Sequence, residues 1–217
     1  MTRADTVEVT TPDGPGRLHV VAPAEALGVL LLGGGHSGQV RTVDLDAVAD
    51  ALPDHGWVVA RYELPWRVAG RTAGPRPPAS DPAWLAGVDA VRAAWPGLPL
   101  VTGGRSAGAR IACRTWDDGL AGILALSFPL HPPGKPAQTR LGELTPVGVP
   151  VLVVQGARDP FGSPEEVAAA LAEHHTGERE LVIVPGATHS FPRATAPAVV
   201  AAVVDFVGRR GNGAASV

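Results

Sequence analysis

The chain has 217 residues, a mass of 22.2 kDa and a formal net charge of −3, so its charge gives no reason to expect nucleic acid or an anionic membrane as a partner. No apolar run approaches the ~20 residues that a membrane span needs, the N-terminal MTRADTVEVT lacks the apolar core of a secretory signal, and the single Cys113 excludes an internal disulfide or a cysteine metal cluster. We therefore expect a cytoplasmic enzyme with one domain over residues 1–210 and a flexible tail at 211–217.

The N-terminal segment predicts an antiparallel hairpin, because VEV at 7–9 and RLHVV at 17–21 flank the turn-forming PDGPG at 12–16. Short apolar runs follow at 27–32, 57–60, 98–101, 123–126, 149–154 and 181–184. Runs that are this short and apolar throughout are typical of parallel strands buried on both faces.

Helical patterns lie between these runs, at 44–52, 82–95, 107–115, 163–175 and 197–209. The SPEE that opens the fourth pattern has a serine at the N-cap, a proline at the first helical position and acids in the first turn. Strands and helices that alternate in one chain predict an α/β fold with a mostly parallel sheet covered by helices on both faces.

Two segments are predicted to be loops at the carboxyl ends of strands, where such sheets keep their sites. Residues 66–82 are rich in Pro and Gly and carry Arg67, Arg71 and Arg76, while residues 128–150 have no long helical pattern. The three arginines could recognise a substrate carboxylate or phosphate, although solvated loop arginines are the more common explanation and the one that we favour.

The stretch GGRSAG at 103–108 places Ser106 in a G-x-S-x-G pattern between a predicted strand and a predicted helix. In a nucleophile elbow the serine occupies a strained strand-to-helix turn, and small neighbours let the backbones pass closely. The bare pattern also fits a glycine-rich phosphate loop or a plain turn, but the strand before it and the helix after it favour the elbow.

A serine nucleophile needs a base and an orienting carboxylate, which follow it along the chain in the order acid, then histidine. Asp159 follows one predicted strand and His189 follows the next, so all three side chains are expected at the same edge of the sheet. Taken alone, Asp159 could begin an Asp-Pro turn and His189 could be an ordinary loop histidine. The joint placement predicts a Ser106, His189 and Asp159 triad.

Glycines at 33–38, in the stretch GGGHSG, follow the first parallel strand, where a second oxyanion donor is expected. We assign the oxyanion hole to the backbone N–H groups of Ala107 and Gly35, with Gly34 as the alternative to Gly35. The same stretch also matches the dinucleotide fingerprint G-x-G-x-x-G, with Glu63 at the end of the following strand, and dinucleotide binding therefore stays open as a minor alternative.

Four stretches, GGRSAGAR, LSFPLHPPGKP, VQGARDPFGSPEE and GATHSF, resemble the small α/β-hydrolase family that includes testis-expressed protein thirty and its bacterial relatives. The likeness extends from about Gly28 to Phe206 and implies a compact hydrolase sheet with the triad named above. The chain is also similar to dienelactone-hydrolase-like enzymes in being small and uncapped. Many relatives begin the oxyanion loop with His-Gly, whereas Gly33 and Gly34 stand there in this sequence.

These patterns predict a serine hydrolase of small carboxylic esters or lactones that works through an acyl-enzyme and needs no metal or other cofactor. Since residues 128–150 are too few for a helical cap, we expect an open, shallow site, with His36, Trp66, Arg105 and Phe128 as pocket residues. Trp66 could instead pack its loop down. An acyltransferase, which shares the same residues, stays open. A catalytically silent binding module on the same fold also stays open, although the intact triad argues against it, and the oligomeric state is not predicted.

Overall fold

The computed structural model describes residues 3–173 and 177–211. His174 and His175, which the sequence assigned to the end of a helix, and the predicted tail beyond residue 211 lie outside the described residues. No helix among the described residues is long and apolar enough to cross a membrane.

Among the described residues, eight strands form one sheet in the order β1-β2-β4-β3-β5-β6-β7-β8. Their bounds are β1 Arg3–Thr11, β2 Gly14–Ala22, β3 Gly28–Gly33, β4 Trp57–Glu63, β5 Leu100–Arg105, β6 Gly122–Leu126, β7 Val151–Gly156 and β8 Arg179–Val184. The hairpin β1–β2 is antiparallel and β2 also joins β4 antiparallel, while every neighbouring pair from β4 to β8 is parallel. The predicted hairpin and the mostly parallel sheet are therefore confirmed.

In the part of the chain that the structure describes, seven α-helices accompany the sheet: α1 Val43–Ala51, α2 Pro65–Val68, α3 Asp81–Ala94, α4 Ala107–Arg114, α5 Leu141–Leu144, α6 Pro164–Glu173 and α7 Ala196–Gly211. The short helices α2 and α5 lie within segments that the sequence predicted to be loops. Each is a single turn without an amphipathic repeat, which is why periodicity could not reveal it. Residues 127–150, between β6 and β7, hold only α5, so no domain is inserted there.

Two apolar layers cover the sheet, one on each face. Along β3, Val29 and Leu31 join the layer built with α3, α4 and α6, whereas Leu30 and Leu32 join the layer built with α1 and α7. Successive side chains of a strand point to opposite faces, so a strand covered on both sides must be apolar at every position. The six strands from β3 to β8 run parallel, so their carboxyl ends share one edge of the sheet, and this edge receives the loops that carry Ser106, Asp159 and His189.

Candidate active site

Ser106 occupies a strained turn between β5 and α4. Its φ of 52° and ψ of −103° lie on the side of conformational space that non-glycine residues rarely adopt. The turn depends on its small neighbours, because a Cβ at Gly104 or Gly108 would lie 2.3 Å from the carbonyl oxygen of Gly33. The amide of Ser106 donates to the carbonyl of Leu126 on β6 at 2.9 Å, which ties the turn to the sheet.

Ser106, His189 and Asp159 form one chain of hydrogen bonds. His189 Nε2 lies 2.8 Å from Ser106 Oγ, and His189 Nδ1 lies 2.8 Å from Asp159 Oδ2. A carboxylate cannot donate, so Nδ1 carries the proton in this pair and Nε2 is free to accept the hydroxyl proton of Ser106. The arrangement can move a proton from the serine to the imidazole while the carboxylate stabilises the resulting cation.

The carboxylate of Asp159 is almost completely buried and is held by two donors that the sequence analysis did not single out. The amide of Phe161 donates to Oδ1 at 2.9 Å, and Gln155 Nε2 donates to Oδ2 at 3.0 Å. The ring of Phe161 also contacts His189 edge to face, with 4.5 Å between the ring centroids. These contacts fix the acid and the imidazole relative to each other.

Arg105, immediately before the serine, supports the loop that carries His189. Its Nη2 donates to the carbonyl of His189 at 2.9 Å and to Ser190 Oγ at 2.6 Å. Its Nε lies 3.5 Å from Oδ2 of Asp44, a buried acid in the first turn of α1, whose Oδ1 accepts the hydroxyl of Thr42 at 2.6 Å. A charged network thus connects α1, the elbow and the histidine loop. Sequence reasoning missed Asp44 because no local pattern links it to Arg105.

The two backbone N–H groups that the sequence predicted as oxyanion donors, those of Ala107 and Gly35, belong to residues close to Ser106. Ala107 is the first residue of α4, and the N–H groups of a helix's first turn have no intrahelical acceptor. A Cβ at Gly35 would lie 3.8 Å from Ser106 Cβ, and no hydrogen bond of the described residues uses the Gly35 amide. At Gly34 a Cβ would collide with the carbonyl of Gln39 at 2.3 Å, so this glycine is required by the turn itself.

The geometry gives no support to a dinucleotide site at the same glycines. The fingerprint requires its loop to lead directly into a helix, whose N-terminus would bind the pyrophosphate. Here α1 begins only at Val43, and the loop faces the elbow. Glu63, the acid expected on a ribose, instead contacts His19 at 3.3 Å and Arg17 at 3.5 Å.

A family model described as "Alpha/beta hydrolase domain" matches residues 27–201, which is more than half of the chain. The chain belongs to the alpha/beta hydrolase family. The prediction of an α/β-hydrolase enzyme is thereby confirmed at the level of the family. None of the curated proteins matches the chain.

Solved structures with the same fold include an alpha/beta serine hydrolase without lid from Xanthomonas campestris, which is 21% identical with a TM-score of 0.77 over 95% of this chain and 94% of that chain. An alpha-beta serine hydrolase homologue from Coxiella burnetii is 21% identical with a TM-score of 0.74 over 94% and 96% of the two chains. An esterase from Pyrococcus furiosus is 18% identical with a TM-score of 0.75 over 95% and 90%. At these identities the likeness shows the fold, and the predicted fold class is confirmed.

The hydrolase has a cavity of about 740 Å³ next to Ser106. Of the four expected pocket residues, His36, Trp66 and Arg105 line it, but Phe128 does not. Phe128 is fully buried in the core, because Ser127 has a φ of 49° and turns the chain after β6, so the prediction for Phe128 is wrong.

The cavity is deeper than the shallow site expected from the sequence. It reaches Trp84 of α3, whose side chain is fully buried in the core, and Tyr62 of β4 also borders it. Trp66 forms a wall between two loops, since a Cβ at Gly38 or Gly74 would collide with its ring. Trp66 therefore both packs its loop down and lines the cavity, which reconciles the two roles considered for it.

The three loop arginines have different surroundings. Arg76 is exposed and lines the cavity, whereas Arg67 lies 3.9 Å from Glu63 and Arg71 is exposed outside the cavity. Among the described residues, no group of three or more histidines, cysteines or carboxylates is arranged to hold a metal ion.

Proposed function

We propose that the protein is a serine hydrolase that cleaves small carboxylic esters or lactones, with Ser106 as nucleophile, His189 as base and Asp159 as the acid that orients it. The observation that carries this proposal is the continuous chain of two 2.8 Å contacts that ends on a serine in a strained turn. Burial of Asp159 and its two donors keeps the acid fixed, which is what an orienting carboxylate requires.

In the proposed reaction His189 Nε2 takes the proton of Ser106 as Oγ bonds to the substrate carbonyl carbon. The tetrahedral oxyanion collapses, the bond to the alcohol oxygen breaks, and His189 returns the proton to the leaving alcohol. Water then attacks the acyl-enzyme in the same way and releases the acid. The oxyanion accepts hydrogen bonds from the N–H groups of Ala107 and Gly35, and one such donor commonly contributes ~100- to 1,000-fold in rate.

The cavity supports small and medium acyl groups. Its volume of about 740 Å³ is in the range of small-molecule sites, and Trp84 and Trp66 line it, so we infer that their rings limit how far an extended acyl chain can run from Ser106. We therefore expect acetyl and butyryl esters to react as well as, or better than, a dodecanoyl ester of the same alcohol.

The test combines covalent labelling with turnover. A fluorophosphonate should label the wild type once, at Ser106, and Ser106→Ala should lose both labelling and ester turnover. Ser37→Ala is the matched control, because Ser37 lines the same cavity without an elbow and its loss should leave labelling intact. Labelling at another residue, or unchanged turnover in Ser106→Ala, would reject the proposed nucleophile.

The same assay separates water from other acceptors. If an ester acylates Ser106 but the acyl group leaves only when an alcohol or amine is added, the protein is an acyltransferase.

Within the alpha/beta hydrolase family we infer a place near testis-expressed protein thirty and its bacterial relatives. The support is the stretches SFPLHPPGKP and RDPFG, which are more distinctive than the elbow.

A further inference from the structure

The charges that line the cavity are all of one sign. Among the described residues that line it, none is an aspartate or a glutamate and five are arginines: Arg76, Arg105, Arg110, Arg114 and Arg140. A concave site lined by cations attracts anions and raises their local concentration.

Three of these arginines are balanced by carboxylates that stand outside the cavity lining. The pairs are Arg105 with Asp44 at 3.5 Å, Arg110 with Glu143 at 2.5 Å and Arg114 with Asp81 at 2.7 Å. These ion pairs connect β5 with α1, and α4 with α3 and α5, so the positive charges of the three arginines are already compensated. The remaining two arginines make no ion pair among the described residues, so they leave the cavity with an uncompensated positive charge.

Of these two arginines, Arg140 is the better placed to bind an anion inside the cavity. Its Nη1 donates to the backbone carbonyls of Pro129 at 3.1 Å and His131 at 3.3 Å, which fix the guanidinium without neutralising it. Burial, and then the charge of Arg110, lower the pKa of Arg140, while Glu143 acts in the opposite direction more weakly. A partly buried cation without a counter-ion gains from a bound anion, because an anion replaces the solvation that the side chain has lost.

Arg76 enters the same cavity from the loop before α3. It is exposed, and no hydrogen bond or ion pair of its side chain occurs among the described residues. A flexible exposed arginine at the rim can close on an anion that a fixed arginine already holds, since a guanidinium presents several donors to a carboxylate or phosphate.

We propose that the substrate of this hydrolase carries, besides the scissile ester, an unreacted anionic group of the carboxylate or phosphate type, which Arg140 binds inside the cavity and Arg76 covers at its rim. This inference rests on the proposed function of Ser106, because the cavity is a substrate site only if the serine is the nucleophile. The reaction is unchanged: the ester bond is hydrolysed, and the anionic group leaves with the product that bears it.

The experiment compares esters that differ in this one group. In the acyl arm, monomethyl glutarate is compared with methyl pentanoate; in the alcohol arm, acetoxyacetate is compared with ethyl acetate, so that a methyl group replaces the carboxylate in both arms. We expect the anionic ester of at least one arm to show a kcat/KM about tenfold or more above its neutral partner, the size of effect that a hydrogen bond to a charged group gives. The arm that shows it identifies whether the acyl or the alcohol part carries the anion.

The variant is Arg140→Gln, which keeps a donor for the two carbonyls but removes the charge. It should bring the ratio of anionic to neutral kcat/KM down towards one, and Arg140→Lys should retain part of the preference. Arg71→Gln is the matched control, because Arg71 is exposed in the neighbouring loop but does not line the cavity, and it should keep the wild-type ratio. Inhibition of neutral-ester turnover by free glutarate or inorganic phosphate, weakened by added salt, tests the wild type without any substitution.

The outcomes are distinguishable. Turnover of neutral esters that depends on Ser106, with no preference for either anionic ester and no inhibition by the free anions, overturns the anion site and leaves the proposed function standing. A preference that Arg140→Gln leaves intact also overturns it. Absence of turnover for all four esters together with absence of fluorophosphonate labelling overturns both proposals.

Discussion

Replacing Arg105 with glutamine should cost both stability and catalysis, through different contacts. The guanidinium donates to the His189 carbonyl at 2.9 Å and to Ser190 Oγ at 2.6 Å, and it faces Asp44 at 3.5 Å. The side chains of Arg105 and Asp44 are only 18% and 3% exposed, so Arg105→Gln leaves a carboxylate with little access to water.

The stability cost can be bounded from this geometry. Breaking a fully buried ion pair costs about 3–5 kcal/mol because the remaining charge is uncompensated. Here the separation is long, Thr42 still donates to Asp44, and the acid lies in the first turn of α1, where the helix dipole favours a negative charge. We therefore expect Arg105→Gln to lower the free energy of unfolding by about 2 kcal/mol, and Asp44→Asn in the same chain to restore about half of this.

The catalytic cost comes from the histidine loop. Without Arg105 the carbonyl of His189 and the hydroxyl of Ser190 lose a shared anchor, and a displacement of the imidazole by about 1 Å can lower the rate ~100-fold. We expect kcat to fall by about tenfold to 100-fold at temperatures where the variant is fully folded. The matched control is Arg158→Gln, which removes an exposed arginine that donates at 3.3 Å to Gly186 in the same loop.

Urea unfolding followed by tryptophan fluorescence and steady-state turnover of a neutral ester measure the two effects separately. An unchanged urea midpoint for Arg105→Gln, or no recovery of stability by Asp44→Asn in the Arg105→Gln chain, would refute the stabilising role of this ion pair. An equal loss of kcat in Arg158→Gln would refute the role of Arg105 in positioning His189, since any change of charge near the loop would then suffice.

Three further substitutions or reagents test other contacts. Gly108→Ala should lower the free energy of unfolding by about 3 kcal/mol, the upper end for an overpacked core site, because its Cβ would lie 2.3 Å from a backbone oxygen. Gly142→Ala has open space around its Cβ and should leave thermal unfolding nearly unchanged. Burial raises the pKa of Cys113 to about 12, so iodoacetamide at pH 8 should alkylate it only after unfolding, as mass spectrometry would show. Gln155→Leu should lower kcat about tenfold by removing a donor to Asp159; an unchanged kcat would contradict that role.

Much of the fold, and the meeting of the candidate site residues at one edge of the sheet, could be predicted because parallel strands all run in the same direction. Each buried strand reads as a short apolar run, and the loops after the strands must meet at one edge of the sheet. Ser106, Asp159 and His189 each follow such a run, so their meeting needs no knowledge of side-chain packing. The strained φ of the serine was also implied by the glycines on both sides of it.

The supporting contacts could not be predicted because they depend on how distant elements pack. Asp44 in the first turn of α1 lies next to Arg105 at the end of β5, although the two are far apart in the chain, and no pattern in either local sequence indicates that they meet. Phe128 was expected at the pocket because it follows a strand, as the candidate site residues do. The positive φ of Ser127 directs that ring into the core instead, and no glycine at this position indicates such a turn in the sequence.

The two sides of His189 are held by interactions of different physical kinds, and this difference determines how the site responds to solution conditions. Asp159 is fixed by the side-chain amide of Gln155 and the backbone amide of Phe161, which are neutral donors in a buried setting and are little affected by salt or pH. The His189 loop is fixed by Arg105, a charged group that remains partly accessible to water. Salt screens mostly buried charges far less than exposed ones, so the histidine loop should respond to salt only weakly and the contact between Gln155 and Asp159 even less, and a steep fall of kcat with added salt in the wild type would contradict this arrangement.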